Sequence, residues 1–523
     1  MASHETTLLS RRILLRSAVT AAAVLGGAGL LAACGGSAAP AAVPTTAATT
    51  APVAAAATKP ATVATTAPTG AQAAPTTASA AGATVAPTTG TSAAAAPATT
   101  AGTTAPTPLP PPAGKKAVML RLHARAGVED QMLDKQLALF QQANPGVGVT
   151  QETFAGGEYF QKLQTLAAGG NLGDVAHLFT GDMSYQQFFL AGIFIPIDDY
   201  INKEKFDLNQ YYKYSLDSAR VDGKLGGLPF KSHPSRVGLF YNEDLFAQAG
   251  LKPPTLDMTL DELTDAAKKM TKAGDASTAT YGYGFLWHDI EYYECIVRQF
   301  GGDLFSTDGK KWTGSSPEAA KAWQQQYDLM NTYKVSVNPL QSNPSNGDLF
   351  LSGRLGMFRA NIGTKAGFTK IDKFKWNMTL PPKGPTGSRG SFAETDMMSI
   401  TKFSKARDES WALLKAITSK DAGLGLASQT GNRSSTAGGR PDVYNSPEFL
   451  NLPGYPKGVQ ENTKLAMETV EPYRAPDNFR GPELGRIVDP ILDLLILGKE
   501  QPNKAFLDKL GAEAQSVMDK PRA

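Results

Sequence analysis

Residues 118–154 read VMLRLHARAGVEDQMLDKQLALFQQANPGVGVTQETF, and this stretch decides the fold class. Val118 to Leu122 is apolar enough for a first strand, with His123 to Gly127 following as a loop. Val128, Met132, Leu133, Leu137 and Phe140 then recur at helical spacing and mark one buried face. Asn144-Pro145-Gly146 stops that helix, because proline cannot continue it and glycine accepts left-handed backbone angles. Val147 to Phe154 is the next strand. Strand, helix and strand in this order are the pattern of an α/β layer.

The alternation continues on the C-terminal side. Tyr159, Phe160, Leu163 and Leu166 outline a second amphipathic helix, stopped by Gly169-Gly170, and Val175 to Phe179 is a short strand. Thr259-Leu260-Asp261-Glu262 fits a capping box, with Leu260, Leu263, Ala267 and Met270 as the buried stripe of the helix it opens. Ser316-Pro317-Glu318 opens another helix, with Trp323, Tyr327 and Met330 along one face. Pro502 starts a last helix that buries Phe506, Leu510 and Val517. The final third is therefore expected to be mostly helical, and no internal repeat is present.

On the N-terminal side the composition changes completely. From Gly35 to Gly114 the chain is almost wholly Ala, Thr, Pro, Gly, Ser and Val, with Lys59 its only charge and no aromatic residue. Ordering such a segment costs entropy with no core to offset it, so it is expected to be a disordered, partly polyproline-like tether. As a coil, ~80 such residues span roughly 50 Å. Ahead of it, Ser10-Arg11-Arg12-Ile13-Leu14-Leu15-Arg16 resembles a twin-arginine export signal. Ser17 to Leu31 has the length of a signal core and falls short of the roughly 20 apolar residues a spanning helix needs. Leu31-Ala32-Ala33-Cys34 resembles the lipobox of bacterial lipoproteins, which implies cleavage before Cys34 and a lipid on its thiol. The plainer reading is a secretory signal with an incidental cysteine.

The ~400 residues after the tether are too many for one simple core and suggest two lobes. The chain carries a formal net charge of +3 and no basic tract, which excludes a nucleic-acid surface of the usual kind. Cys295 is the only other cysteine, so the lipidated chain has no internal disulfide, and a lone cysteine usually behaves as a small hydrophobe. The mature chain holds His123, His177, His233 and His288 without an H-E-x-x-H pattern. It also lacks a G-x-S-x-G elbow, a P-loop and, in the folded part, a G-x-G-x-x-G. These absences argue against an exported hydrolase, and no enzyme activity, cofactor or metal is expected. A carbohydrate-active enzyme and a surface adhesion lipoprotein stay open as rival classes.

Leu228-Pro229-Phe230 leads into Val237-Gly238-Leu239-Phe240-Tyr241-Asn242-Glu243-Asp244-Leu245-Phe246. Ala249-Gly250-Leu251, Pro253-Pro254 and the capped helix follow. This run resembles extracellular solute-binding protein family 1, the receptors of ABC importers, which include the maltose-binding proteins. It departs from the family pattern at Thr255-Leu256-Asp257-Met258, where Thr-Trp is usual. Phe350 to Met357, Met398-Ser399-Ile400 with Ser404-Lys405 and Trp411 to Leu414, and Leu497-Gly498-Lys499 match further family segments in order. The resemblance covers residues 116–519.

It implies an α/β, two-lobed periplasmic-binding-protein-like fold: two α/β domains joined by three crossings, with a ligand cleft between them. The crossings are expected at 231–237, 391–399 and 417–423. The chain then divides into a signal peptide (1–33), the lipidated cysteine and tether (34–115), lobe one (116–231 plus 399–419) and lobe two (237–391 plus 423–523). The implied role is a monomeric receptor, held by its lipid to the outer face of the cytoplasmic membrane. It captures a small solute, first of all a carbohydrate, and delivers it to the permease subunits of an ABC importer.

By segment, the resemblance places His123 and Arg125, Thr180 and Asp182, and His233 with Arg236 at the cleft from the first lobe and its crossing. Trp287, Arg359, Asn361, Glu394, Arg433 and Tyr473 are the further candidates. Each has a plainer reading. Arg125 can pair with Glu129, Asp182 can cap the helix through Phe188, and Trp287 can belong to the core of lobe two. His233 can be a satisfied hinge histidine, and Arg433 can fix a loop. A flat aromatic among many hydrogen-bonding groups suits a sugar. Arg125, Arg359 and Arg433 could instead converge on a phosphate or carboxylate, so an anionic polyol phosphate or a peptide stays as the alternative ligand.

Overall fold

In the first strand Leu120, Leu122 and Ala124 point into a core and are fully buried, while Arg121, His123 and Arg125 occupy the other face. The computed structural model describes residues 118–126, 129–340, 343–428 and 438–523. The segments expected to be an export signal and a tether, with Cys34, and Arg433 lie outside the described residues. Strand β1 runs Val118–Arg125 and is longer than its apolar pattern suggests. It pairs in parallel with β2 (Val147–Phe154) as far as Arg125 opposite Phe154, so backbone pairing carries His123 and Arg125 into the strand rather than a loop.

Strand β3 (Val175–Phe179) flanks β1 on its other side. A small hairpin, β4 (Arg220–Val221) and β5 (Lys224–Leu225), precedes β6 (Gly227–Pro234). The chain then enters a second sheet with β7 (Gly238–Asn242), β8 (Tyr281–Gly284), β9 (Leu355–Ala360) and β10 (Trp376–Thr379). Strand β11 (Ala393–Ile400) returns to the first. The sheet orders are β2-β1-β3-β11-β6 and β10-β7-β9-β8. Strand β11 is antiparallel to both neighbours, with a register irregularity between Asp396 and Met397. Such bulges re-aim side chains, and Asp396 belongs to the site below.

Each sheet has its own core, which gives two α/β lobes. Leu122, Leu133, Val175, Phe230, Trp411 and Ile417 pack in lobe one. Leu239, Phe246, Tyr292, Trp323, Leu492 and Leu510 pack in lobe two. Phe240, Phe350, Phe358 and Trp376 fill the other face of the lobe-two sheet. The Thr259 capping box forms: the Thr259 hydroxyl accepts from Glu262 N at 3.2 Å, and Glu262 accepts from Thr259 N at 2.8 Å. The last helix spans Lys504–Met518 and is capped by the Asn503 side chain, one residue after Pro502.

The first crossing is the link between β6 and β7, residues 235–237, and the second is the link between β10 and β11, residues 380–392, ahead of the expected 391–399 because 393–400 is already strand of the first sheet. The third differs from the expected 417–423. Leu426, in the helix Lys420–Ala427, belongs to the lobe-one core. Val443, Tyr444 and Phe449 cluster with Tyr212 and Tyr214, and the Tyr444 hydroxyl donates to Ser232 O at 2.6 Å. Tyr455, and Val459 and Ala466 in the helix Val459–Glu468, pack on lobe two. The crossing therefore falls between Leu452 and Tyr455, and residues expected in lobe two cover lobe one instead.

Candidate functional site

Strands β1, β3 and β6 end on the side of lobe one that faces lobe two, where ligands of open α/β sheets bind. Their last residues, with β11, bring a set of charges together. Lys231 Nζ lies 2.8 Å from Glu129 Oε1 and 2.8 Å from Asp396 Oδ2. Arg125 Nε donates to Glu129 Oε2 at 2.8 Å, and His177 Nε2 donates to Asp396 at 3.0 Å. Glu129, His177, Lys231 and Asp396 are each at most 2% exposed. Burial alone would raise both carboxyls, but Lys231 and His177, with Arg125 at Glu129, outweigh it and hold them well below the usual range. Burial would likewise lower Lys231, and Asp396 and Glu129 reverse it, so this lysine stays a cation. Glu129, His177 and Asp396 are close enough to share a metal ion. The Lys231 ammonium already stands between the two carboxylates and supplies the positive charge there.

A second knot closes the cleft at the first crossing. Arg236 donates to Asp289 at 2.7 Å and to Glu394 at 2.9 Å, and it also contacts Glu291. Its backbone has φ of 32°, uncommon for a residue with a side chain, and the three carboxylates hold it there. Asp289 caps the helix Ile290–Gln299 by accepting from Glu291 N and Tyr292 N, both at 3.1 Å, which puts Glu291 in its first turn. Burial raises the Glu291 carboxyl well above the usual range; Arg236 opposes this, and Glu394 and Asp289 reinforce it.

Between these knots lies a cavity of about 860 Å³. Arg125, Asp182, His233, Asn361 and Glu394 line it, together with Phe179, Lys231, Arg236, Leu286, Glu291, Thr364, Asp396 and the loop glycines Gly156 and Gly157. The Arg125 guanidinium lies over the Phe179 ring, 4.5 Å from its centre. Asn361 Nδ2 donates to His233 Nδ1 at 3.2 Å, and burial lowers the pKa of that ring. Asp182 accepts from Ser184 N, the first amide of the helix Ser184–Leu190, at 2.9 Å, although the N-cap residue of that helix is Met183, and it faces the cleft. The surrounding walls push its carboxyl up to about 6.

The other expected residues sit elsewhere. His123 is buried and accepts from Gly173 N at 2.8 Å through Nε2. Thr180 is buried, its hydroxyl accepting from Thr395 N at 3.1 Å. Tyr473, from lobe two, donates to Thr180 O at 2.7 Å and so ties the lobes together behind the cavity. Arg359 spends its donors on Arg236 O at 2.9 Å and Gln299 Oε1 at 2.6 Å. Trp287 packs against the lobe-two core and donates to Asp493 at 3.0 Å. Lys231, Asp396, Glu129 and Glu291 were not among the sequence candidates. The signal was available: a charge inside an apolar strand, as in Leu228-Pro229-Phe230-Lys231, must find a partner when buried.

Residues 125–424 match the family model described as bacterial extracellular solute-binding protein. The chain belongs to this family. A binding protein of Brucella abortus is 30% identical over 289 residues, covering 54% of this chain and 67% of its own length. The lactose-binding protein of Rhizobium radiobacter is 26% identical over 346 residues, 63% of this chain and 70% of that protein. Among solved structures, an ABC substrate-binding protein of Listeria monocytogenes in complex with cycloalternan superposes with a TM-score of 0.67 at 22% identity. The match covers 77% of this chain and all of that one. The likeness shows the two-lobed fold of these solute-binding proteins and matches the pair of sheets described above.

Proposed function

We propose that this solute-binding protein captures a carbohydrate in the cavity between its lobes and hands it, chemically unchanged, to the membrane subunits of an ABC importer. One observation carries the ligand class. Among the described residues, Arg125, Lys231 and Arg236 at the cleft are each bound to a carboxylate, and Arg359, away from the cavity, to a carbonyl and an amide oxygen. Among the described residues no positive charge at the cavity is left over to hold a phosphate or carboxylate, which disfavours the anionic alternative. What faces the cavity is a set of hydrogen-bonding groups, Asp182, His233, Asn361 and Glu394, beside the Phe179 ring. That mixture suits hydroxyls and the apolar edge of a sugar. The lactose-binding relative and the cycloalternan-bound structure support the same class.

Closure gives the binding its output. A ligand that touches both lobes favours the closed form by its differential affinity, and the importer reads that form. Anchoring through a lipid on Cys34 keeps the receptor beside its transporter. A thermal-shift screen over sugars, polyol phosphates and peptides tests the ligand class, since ligand at 100 times its Kd stabilises by about 2.7 kcal/mol. Stabilisation by oligosaccharides is expected. Stabilisation by phosphates or peptides alone would overturn the reading. Cys34→Ser should release the protein from the membrane fraction, and retention there would remove the anchor.

A further inference from the structure

The cleft holds more acid than base. Arg236 is shared among Asp289, Glu291 and Glu394. Lys231 is shared between Glu129 and Asp396, and Arg125 is taken by Glu129. Burial keeps His233 from adding a charge. Asp182 has no cationic partner among the described residues; its hydrogen bond comes from the backbone of Ser184.

Two of these carboxyls meet at Gly181, and the third lines the same cavity from the next residue. A Cβ at Gly181 would collide with Glu291 Oε1 and lie 3.0 Å from Glu394 Cγ, and Asp182 is the next residue. Glu291 is 6% exposed, and its Oε2, though in contact with Arg236, makes no hydrogen bond. All three side chains line the same cavity. A sugar hydroxyl can donate one hydrogen bond into such a group, whereas an ammonium can donate three and neutralise charge as well.

We propose that the carbohydrate taken by this cleft carries a positive charge, an amino sugar or a glycan containing one, with its ammonium seated among Asp182, Glu291 and Glu394. The inference rests on the carbohydrate reading above and adds the charge of the ligand. It separates this cleft from one built for neutral sugars alone, where carboxylates in excess of the cations would gain nothing from the ligand.

Calorimetric titration of the full mature chain tests it. The probes are glucosamine, galactosamine and mannosamine with glucosamine dimers and trimers, their N-acetylated counterparts, lactose, trigalacturonate and trilysine. N-acetylation removes the charge and keeps the sugar. At least tenfold tighter binding of one amino sugar than of its N-acetylated form is expected, with Asp182→Asn bringing that ratio close to one. Asparagine keeps the acceptor for Ser184 N, and the melting temperature of the unliganded variant verifies that it folds. Equal or better binding of neutral or N-acetylated sugars, or of trigalacturonate, overturns the inference and leaves the carbohydrate reading standing. Binding of trilysine with no sugar bound, or no response to any sugar, overturns both.

Discussion

Each lobe buries a lysine: Lys231 is 1% exposed in lobe one and Lys365 is 2% exposed in lobe two. Lys231 stands between two carboxylates, each 2.8 Å away. Lys365 has neutral hydrogen-bond partners, Gln460 Oε1 at 2.6 Å and Thr463 Oγ1 at 2.9 Å, and lies within 5.5 Å of the centres of the Phe449 and Tyr455 rings. Burial is similar and the outcome is opposite. The counter-charges keep Lys231 positive, whereas desolvation pulls Lys365 down to about 7. The first lysine is a fixed charge and can serve as the floor of a binding site. The second titrates close to neutral pH.

Removing the first should cost most. Lys231→Met leaves Glu129 and Asp396 buried without their shared cation, and a loss of about 3–5 kcal/mol is expected from urea unfolding. Adding Asp396→Asn should restore part of that loss. Simple additivity of the two changes would show that they are not coupled.

The second lysine should show itself through pH. Its unfolded form titrates near 10.5 and its folded form at about 7, so between these values the unfolded state binds more protons. Lys365 therefore makes stability rise from pH 7 towards 10.5 and adds no slope below 7. Lys365→Met should remove that contribution, about 5 kcal/mol across the window by the free energy per pKa unit. Parallel pH curves for the two proteins would mean that Lys365 finds a counter-charge after all. Smallest is Gln460→Met, which removes one neutral acceptor and should cost about 1 kcal/mol by thermal melting. A loss as large as that of Lys231→Met would erase the contrast between the two sites.

The same contrast explains what the sequence could reveal. The strands Val147–Phe154 and Val175–Phe179 and the capping box at Thr259 follow from local spacing, and all three are present as expected. The third crossing does not follow, because an amphipathic helix such as Lys420–Ala427 shows which face it buries but not against which core. In the cleft, Arg125, Asp182, His233, Asn361 and Glu394 were reachable by segment. Trp287 was not separable from a core residue, since an indole fills a core and a sugar site equally well. Lys231 and Asp396 hold the floor together through partners 102 residues apart for Lys231 and Glu129, and 219 apart for His177 and Asp396. No local pattern records such pairs.

Gly181 has a further consequence, for measurement. Its missing side chain is the clearance that lets lobe one meet Glu291 of lobe two, and Glu291 is held by Arg236. Alanine at this position would act as a doorstop, penalising the shut form while leaving the hydrogen-bonding side chains of the cavity in place. Because apparent affinity scales with the fraction of molecules able to shut, the loss of affinity in Gly181→Ala would gauge the steric cost of one methyl group at the jaws. A receptor propped ajar in this way also offers a direct view of the form its transporter should ignore.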